Sequence, residues 1–527
     1  LNYVGGGGLR AINPYSSAGM GWRISAGGAI TRTKNGVCDE FTRLGNGLTL
    51  DGFFSLAPNT VTNSYVRNSV NSYTAHNALG QYFSPTTEYS PDIFSFSFLG
   101  YSGYFLMGYD GLFKIQSQDI VSVEKINGIS WPGNGNGIGF KLTANDGTMF
   151  TFGINTGSME LSGGIAQPYY PNPQTPYQCD AWYLTEILST NGRIISFNYQ
   201  SNASTFVRYI GSTETSDLSA NCPVVLDNIG FNGGTVVFNS AVVTQNILNG
   251  PPSYPRLINN ITLRDPDNKV ISNTAFTYSL SASNRYYFLD TVTIDNKTYS
   301  FEYYNRSGLP NESNALGTDY WGFYNGSAEV TLLGTGNVSS FWDMYLNPTV
   351  TYPARMPSLE CAKRGILTSI TYPTGGMETY EYELNTYSHK GLQTLGGIYY
   401  SDIGSNQLAG GLRISKITLG NMVKKYRYVT YFDPNNPDAA SYAGAPSSGI
   451  LYRLPGVPYF GRSVLNATCI DGEPAVVYSK VIEFLADKSY TEYTMRSPLD
   501  KPDGDNTQNS NYYSVWSSNS SVFSNYP

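Results

Sequence analysis

Histidine is nearly missing from this 527-residue chain: His76 and His389 are the only two, and both stand in polar stretches rich in turn formers. No Gly-x-Ser-x-Gly elbow accompanies them, so a Ser- or Cys-based triad has no support and both imidazoles are expected in exposed loops. Charge is scarce too. Only 13% of residues are charged, 32 basic against 39 acidic for a net −7, and no run of Lys or Arg occurs. That removes the electrostatic basis for a nucleic-acid or anionic-membrane partner. The five cysteines, Cys38, Cys179, Cys222, Cys361 and Cys469, show no Cys-x-x-Cys spacing, which argues against a zinc site and a dense disulfide framework. A single bridge, Cys179 to Cys222, is compatible with the sequence but not established by it. No apolar run is long enough to span a bilayer, and no long stretch has apolar residues at helical spacing. The chain opens on Leu1 without a charged-then-apolar leader and reads as a portion of something longer.

What is abundant points to strands and turns: 44 Tyr, 25 Phe and 55 Gly. A unit keeps returning, made of an aliphatic pair three apart, a short polar turn, and two large residues two apart. It reads Leu184, Ile187, Asn191-Gly192, Phe197, Tyr199; then Leu289, Val292, Asn296, Phe301, Tyr303; then Leu367, Ile370, Gly375-Gly376, Tyr380, Tyr382; then Ile414, Ile417, Gly420-Asn421, Tyr426, Tyr428. A looser copy, Ile258, Ile261, Phe276, Tyr278, carries a longer turn. Alternating large side chains suit a half-buried strand, and Asn-Gly or Gly-Gly tolerates the positive φ of tight turns. The chain is therefore expected to be all-β, with serial β-hairpins forming one curved sheet. An ordinary β-sandwich is the alternative.

Composition shifts divide the chain into 1–154, a β-rich opening segment; 155–179, a Pro-rich connector; 180–432, the hairpin array; 433–497, a Pro-rich loop and further strands; and 498–527, a polar tail. In the first of these, Phe94, Phe96 and Phe98 alternate with Ser95 and Ser97, placing three rings on one face. Phe140, Leu142, Asp146-Gly147, Phe150 and Phe152 read as one more hairpin.

Sites for chemistry are thin. The acidic clusters Asp433, Asn435, Asn436, Asp438 and Asp500, Asp503, Asp505 have oxygen ligands at calcium-like spacing, but neither has the Gly and terminal Glu of an EF-hand loop. Solvated turn carboxylates are the commoner explanation. The Gly133-x-Gly135-x-Gly137-x-Gly139 run precedes a strand pattern rather than a helix, which defeats a dinucleotide-binding reading. Carboxylate pairs for glycoside hydrolysis have no local marker. Tyr169, Tyr170 and Tyr177, in the Pro-rich connector, are the candidates for stacking on sugars, although such rings more often pin a loop onto a sheet.

The run Gly19-Met20-Gly21-Trp22-Arg23-Ile24-Ser25-Ala26-Gly27-Gly28-Ala29-Ile30-Thr31-Arg32 with Asp39-Glu40 resembles the opening of Rhs/YD-repeat proteins of the Bacteroidetes. Later landmarks keep the order: Pro91-Asp92-Ile93-Phe94, Ser102-Gly103-Tyr104-Phe105, Asp146-Gly147-Thr148, the stretch from Asp319 to Gly326, Tyr372-Pro373-Thr374-Gly375-Gly376, Gly410-Gly411-Leu412-Arg413-Ile414, Ser447-Ser448-Gly449 and Tyr478-Ser479-Lys480-Val481. The resemblance spans nearly the whole chain. It implies a sheet strip wound into a hollow Rhs-like shell, a partial β-cocoon, that encloses a C-terminal effector. The full repeat with its Arg-Tyr-x-Tyr-Asp core is absent, Tyr426-Arg427-Tyr428 being a partial echo, and so are the aspartates that free the toxin. The part in hand is thus expected to be a non-enzymatic structural portion preceding the repeats, secreted or at the cell surface, with type IX secretion implied by kinship alone. Its partners would be the remainder of the polypeptide or an enclosed effector, and secretion machinery. The rival reading is a surface adhesin that binds glycans.

Overall fold

A computed structural model describes residues 1–9, 16–35, 38–41, 51–55, 91–129, 137–164, 178–201, 205–210, 216–222, 224–244, 254–281, 285–310, 317–319, 321–327, 356–394, 397–436, 445–451, 476–495, 497 and 499. Among them the fold is all-β: the helical elements are the four-residue Leu359–Ala362 and short 3-10 turns. The chain divides into two compact units, one holding 1–3 and 15–298, the other 4–14 and 299–527.

In the first unit, Gly28–Thr33, Ile93–Phe98, Tyr101–Met107 and Phe113–Ser117 follow one another as antiparallel neighbours. Alternation in Ile93–Phe98 buries Phe94, Phe96 and Phe98, as the sequence predicts. The eleven-residue Gln178–Leu188 is the junction. Its first half pairs with Met159–Gly164 and Gly28–Thr33, its second half with Met149–Phe152 and Ile194–Ser201. Trp182 sits at the changeover, fully buried, with its indole N–H given to the Ile138 carbonyl at 2.6 Å. Rings converge on it: Phe140 lies 5.1 Å away edge-on, and Phe94 packs against both Phe105 (5.2 Å) and Phe140 (5.0 Å). Gly153, at φ +63°, is required beside this ring, because a Cβ there would stand 2.3 Å from Trp182.

From that junction a ladder runs through Ile194–Ser201, Val224–Phe231, Gly234–Val242, Arg256–Arg264, Val270–Leu280 and Tyr287–Ile294, each antiparallel to the next. One face carries cross-strand amide and hydroxyl pairs, including Asn198–Asn228 at 2.9 Å, Asn239–Asn260 at 2.6 Å and Thr277–Thr291 at 2.6 Å. In the second unit the end of Lys297–Tyr303 pairs with Leu367–Thr371, followed by Met377–Thr394, Gly397–Leu419, Met422–Arg427, Lys480–Leu485 and Tyr490–Thr494. The turns use positive φ where the sequence supplies Gly, Asn or Asp: Gly192 +78°, Asp295 +45°, Asn296 +71°, Gly375 +82° and Gly420 +57°.

Two expectations are corrected. Cys179 and Cys222 both pair with Leu161, from opposite sides of its strand. Their backbones are therefore two strand spacings apart, roughly 9–10 Å, too far for a disulfide, and the Cys179 thiol instead donates to the Ala181 carbonyl at 3.2 Å. His389 is not in an exposed loop. It lies half-buried in Met377–Thr394, opposite Asp402, because this hairpin runs well beyond the repeated unit and Ile450 pairs parallel to it from the other side. That parallel pairing also departs from a pure hairpin array.

Candidate functional site

The repeated unit resolves into a seam. In the first unit Phe197 and Tyr199 stand opposite Ile229 and Leu226, Phe238 and Ser240 opposite Ile261 and Ile258, and Phe276 and Tyr278 opposite Val292 and Leu289. In the second, Phe301 and Tyr303 face Ile370 and Leu367, and Tyr380 and Tyr382 face Ile417 and Ile414. Each time the residue two beyond the first aromatic meets the first aliphatic of the next hairpin. Two residues match three, so one is squeezed out as a β-bulge: Asp227, Asn259, Asp290, Thr368 and Ser415 in turn. All five are short and polar, able to bond the backbone locally. Asp290 accepts from the Ser279 hydroxyl at 2.9 Å, and Thr368 donates to the Glu302 carbonyl at 3.1 Å.

The bulge splays the hairpin it belongs to at the carbonyl of its first aliphatic. A tyrosine fills the gap. Tyr199 donates its hydroxyl to the Leu184 carbonyl at 2.6 Å, Tyr278 to Ile258 at 2.8 Å, Tyr382 to Leu367 at 2.9 Å and Tyr428 to Ile414 at 2.8 Å. The ring packs in the core while its tip donates to that carbonyl. Burial raises the phenols of Tyr199, Tyr382 and Tyr428 far above the ordinary range, so they remain donors at any physiological pH. The aliphatic spacing of three was visible in the sequence, but the short polar residue after the first aliphatic is the signal that marks the bulge. It also reveals the copy Leu226, Ile229, Phe238, Ser240, which tyrosine-based reading passes over.

A second constellation is ionic and lies in the first unit. Arg32, from Gly28–Thr33, gives one Nη to both oxygens of Glu40 at 2.9 and 2.8 Å and stands 3.6 Å from Asp92. Its guanidinium is 4.8 Å above the Trp182 ring and 5.4 Å from the Phe94 ring. Burial alone would lower its pKa, but Glu40 and Asp92 outweigh that and hold it charged. Asp39 and Asp92 exchange bonds: the Asp39 N–H donates to Asp92 at 3.1 Å, and the Asp92 N–H to Asp39 at 3.0 Å. Burial pushes the Asp39 carboxyl up to about 8 and Asp92 to about 6, with the mutual repulsion adding at Asp39 and Arg32 opposing at both, so the two titrate as one pair. The motifs around Arg32, Asp39-Glu40 and Asp92 thus meet in space.

The later motifs meet in the second unit. The Asp319 carboxylate accepts the N–H groups of Trp321 (2.9 Å) and Phe323 (3.0 Å), closing a tight turn. Trp321 and Phe323 pack with Ala409, Leu451 and Val476. At Gly410 a Cβ would come 2.5 Å from Asp319, which explains the glycine beside it. Arg413 donates to Glu383 (2.7 Å), Thr386 (3.1 Å) and Tyr478 (2.9 Å), and lies 4.2 Å over the Tyr428 ring.

Of the sequence candidates, Asp433 accepts the Asn435 N–H at 2.9 Å in a local turn. Asp438, Asp500, Asp503, Asp505, Tyr169, Tyr170, Tyr177 and His76 lie outside the described residues. Among the described residues no group of three or more His, Cys, Asp or Glu is arranged to hold a metal ion, and no helix is long and apolar enough to cross a membrane. Ser388, beside His389 Nδ1 at 2.8 Å, is buried and donates to the Ser447 carbonyl at 2.6 Å.

No protein-family model matches the chain, and no curated protein does. Among solved structures it is similar to TcdB2-TccC3, at 12% identity and a TM-score of 0.26 over 57% of this chain and 15% of that one. It is also similar to the N-terminal domain of effector protein SpvB from Salmonella typhimurium strain LT2, at 12% identity and a TM-score of 0.25 over 55% of this chain and 91% of that one. A third overlap, with TcdB2-TccC3-Cdc42, has 10% identity and a TM-score of 0.26 over 79% and 18%. The chain spans about 15% of the length of the first of these. At such scores the overlaps carry no argument of their own, and the all-β fold stands on the strand pairings themselves.

Proposed function

We propose that this chain is a structural wall: a portion of an Rhs-like β-shell whose work is to build and hold an extended hairpin strip around an effector elsewhere in the same polypeptide. The observation that carries this reading is the seam, in which the residue two beyond the first aromatic of each hairpin meets the first aliphatic of the next, in three steps within the first unit and two within the second. A hairpin with that register cannot bury its own apolar face alone, and each neighbour covers the open edge of the one before. The role is non-catalytic and the setting is outside the cell. In support, Arg32, Asp92, Arg413 and Ser388 are each engaged by neighbouring side chains or by the backbone. Electron microscopy of the full-length natural polypeptide tests the proposal: a hollow particle with enclosed density is expected, and solid globules joined by linkers would overturn it. Assays on esters, peptides and common glycans are expected to show no turnover. Turnover abolished by changing one carboxylate pair, with folding intact, would sink the non-catalytic part.

A further inference from the structure

Asp39 and Asp92 come from segments 53 residues apart and are each other's hydrogen-bond acceptor. Both are 0% exposed. Asp92 also accepts the Asn35 N–H at 2.8 Å, so three backbone amides of the opening segment and of the start of Ile93–Phe98 end on these two carboxyl groups. A single guanidinium serves the cluster, and Arg32 has already committed both hydrogen bonds of one Nη to Glu40. The other described groups acting here do not make up the difference. The Lys34 ammonium is turned to Gln178 at 2.9 Å, Lys125 lies over the Phe54 ring at 4.2 Å, and Gln178 holds Asp180 at 3.1 Å. The Cys38 and Cys179 thiols are kept neutral by burial. Three buried carboxyl groups therefore share one close cation, and two adjacent buried carboxylates do not both ionise.

We propose that Asp39 and Asp92 share one proton when closed and act as a proton-held latch, fastening the opening segment to strand Ile93–Phe98 and releasing it as pH rises. Opening gives both groups to water, where their ordinary values lie near 4. The closed pair holds its proton up to about 6 to 8. Folded values raised above open ones mean that the closed state binds the extra proton. The latch is thus fully favoured below about pH 4, loses stability as pH climbs from there to about 8, and changes no further above that. This does not depend on the shell reading, because it concerns only how the opening segment is held.

Hydrogen exchange on the whole chain, followed by mass spectrometry from pH 5 to 9 and corrected for intrinsic rates, tests it. Peptides covering 34–41 and 92–98 are expected to show an opening constant rising about tenfold per pH unit up to about pH 8 and then flattening. Peptides covering 367–382, which hold no such pair, serve as the internal control. Asp39→Asn, neutral at every pH, is expected to flatten the slope, and Asp92→Asn provides a second variant should the first fold poorly. A wild-type slope equal to that of the control peptides, or unchanged in a folded Asn variant, would overturn the latch.

Discussion

A single hydroxyl decides whether each bulge is tolerable. The Ile414 carbonyl accepts the Tyr428 hydroxyl at 2.8 Å, and Tyr428→Phe keeps the ring but removes that donor. The expected cost is about 1–3 kcal/mol, the penalty of a buried unmade hydrogen bond, read by urea denaturation of the second unit. No cost would mean that water or a backbone shift satisfies the carbonyl. Arg32 is a harsher case. Its side chain is 1% exposed, and Arg32→Met would strand Glu40 and Asp92 without a cation. A loss of about 3–5 kcal/mol is expected at neutral pH, typical of breaking a buried pair from one side, and a smaller loss in acid, where Asp92 takes up its proton. Urea melts at pH 5 and 8 would check both magnitude and sign.

Among elements, the hairpin owes its face to the bulge. Strict alternation puts residues three apart on opposite faces, yet Ile414 and Ile417 line up against Tyr382 and Tyr380 because Ser415 is skipped. Deleting Ser415 would leave the two isoleucines two apart, on one face by alternation alone, so cooperative unfolding of the second unit is expected to survive in calorimetry. The turns separate two kinds of glycine. Gly375 has φ +82° with open space around its missing Cβ, so Gly375→Ala costs only the left-handed backbone, about 1 kcal/mol. Gly234 has φ +144°, and a Cβ there would stand 2.0 Å from the Arg264 carbonyl oxygen. Gly234→Ala is expected to cost several times more, and parallel thermal melts of the two variants would measure the ratio.

For the whole molecule, the pairings that matter most join distant parts of the chain. Ile30 meets Trp182, and Leu161 lies between Cys179 and Cys222. Such contacts carry a large loop-closure cost before they return anything. Refolding on a timescale of about seconds or longer is expected in stopped-flow fluorescence of Trp182. The described cysteines Cys38, Cys179 and Cys361 are buried free thiols. Iodoacetamide is expected to label them only after unfolding. Labelling of the native chain at any of the three would contradict their burial.

The sequence by itself determined the element type and the turns. Tyr, Phe and Gly abundance, aromatic residues two apart, and Asn-Gly or Gly-Gly between them are local properties, and local conformational preference is enough to specify a hairpin. It also determined which faces are buried in Ile93–Phe98 and across the hairpin from 140 to 152, since alternation alone does that. Only the tertiary structure decided what those hairpins meet. The bulge at Asp290 or Ser415 exists because a neighbouring hairpin imposes two residues against three, and nothing local reports the neighbour. His389 looked like a loop residue because Asn385, Thr386, Ser388 and Lys390 are polar; pairing on both sides of its strand made it sheet. Asp39 and Asp92 acquired their shared chemistry the same way: each is an ordinary carboxylate in sequence, and only burial of both beside one already committed arginine makes them a pair.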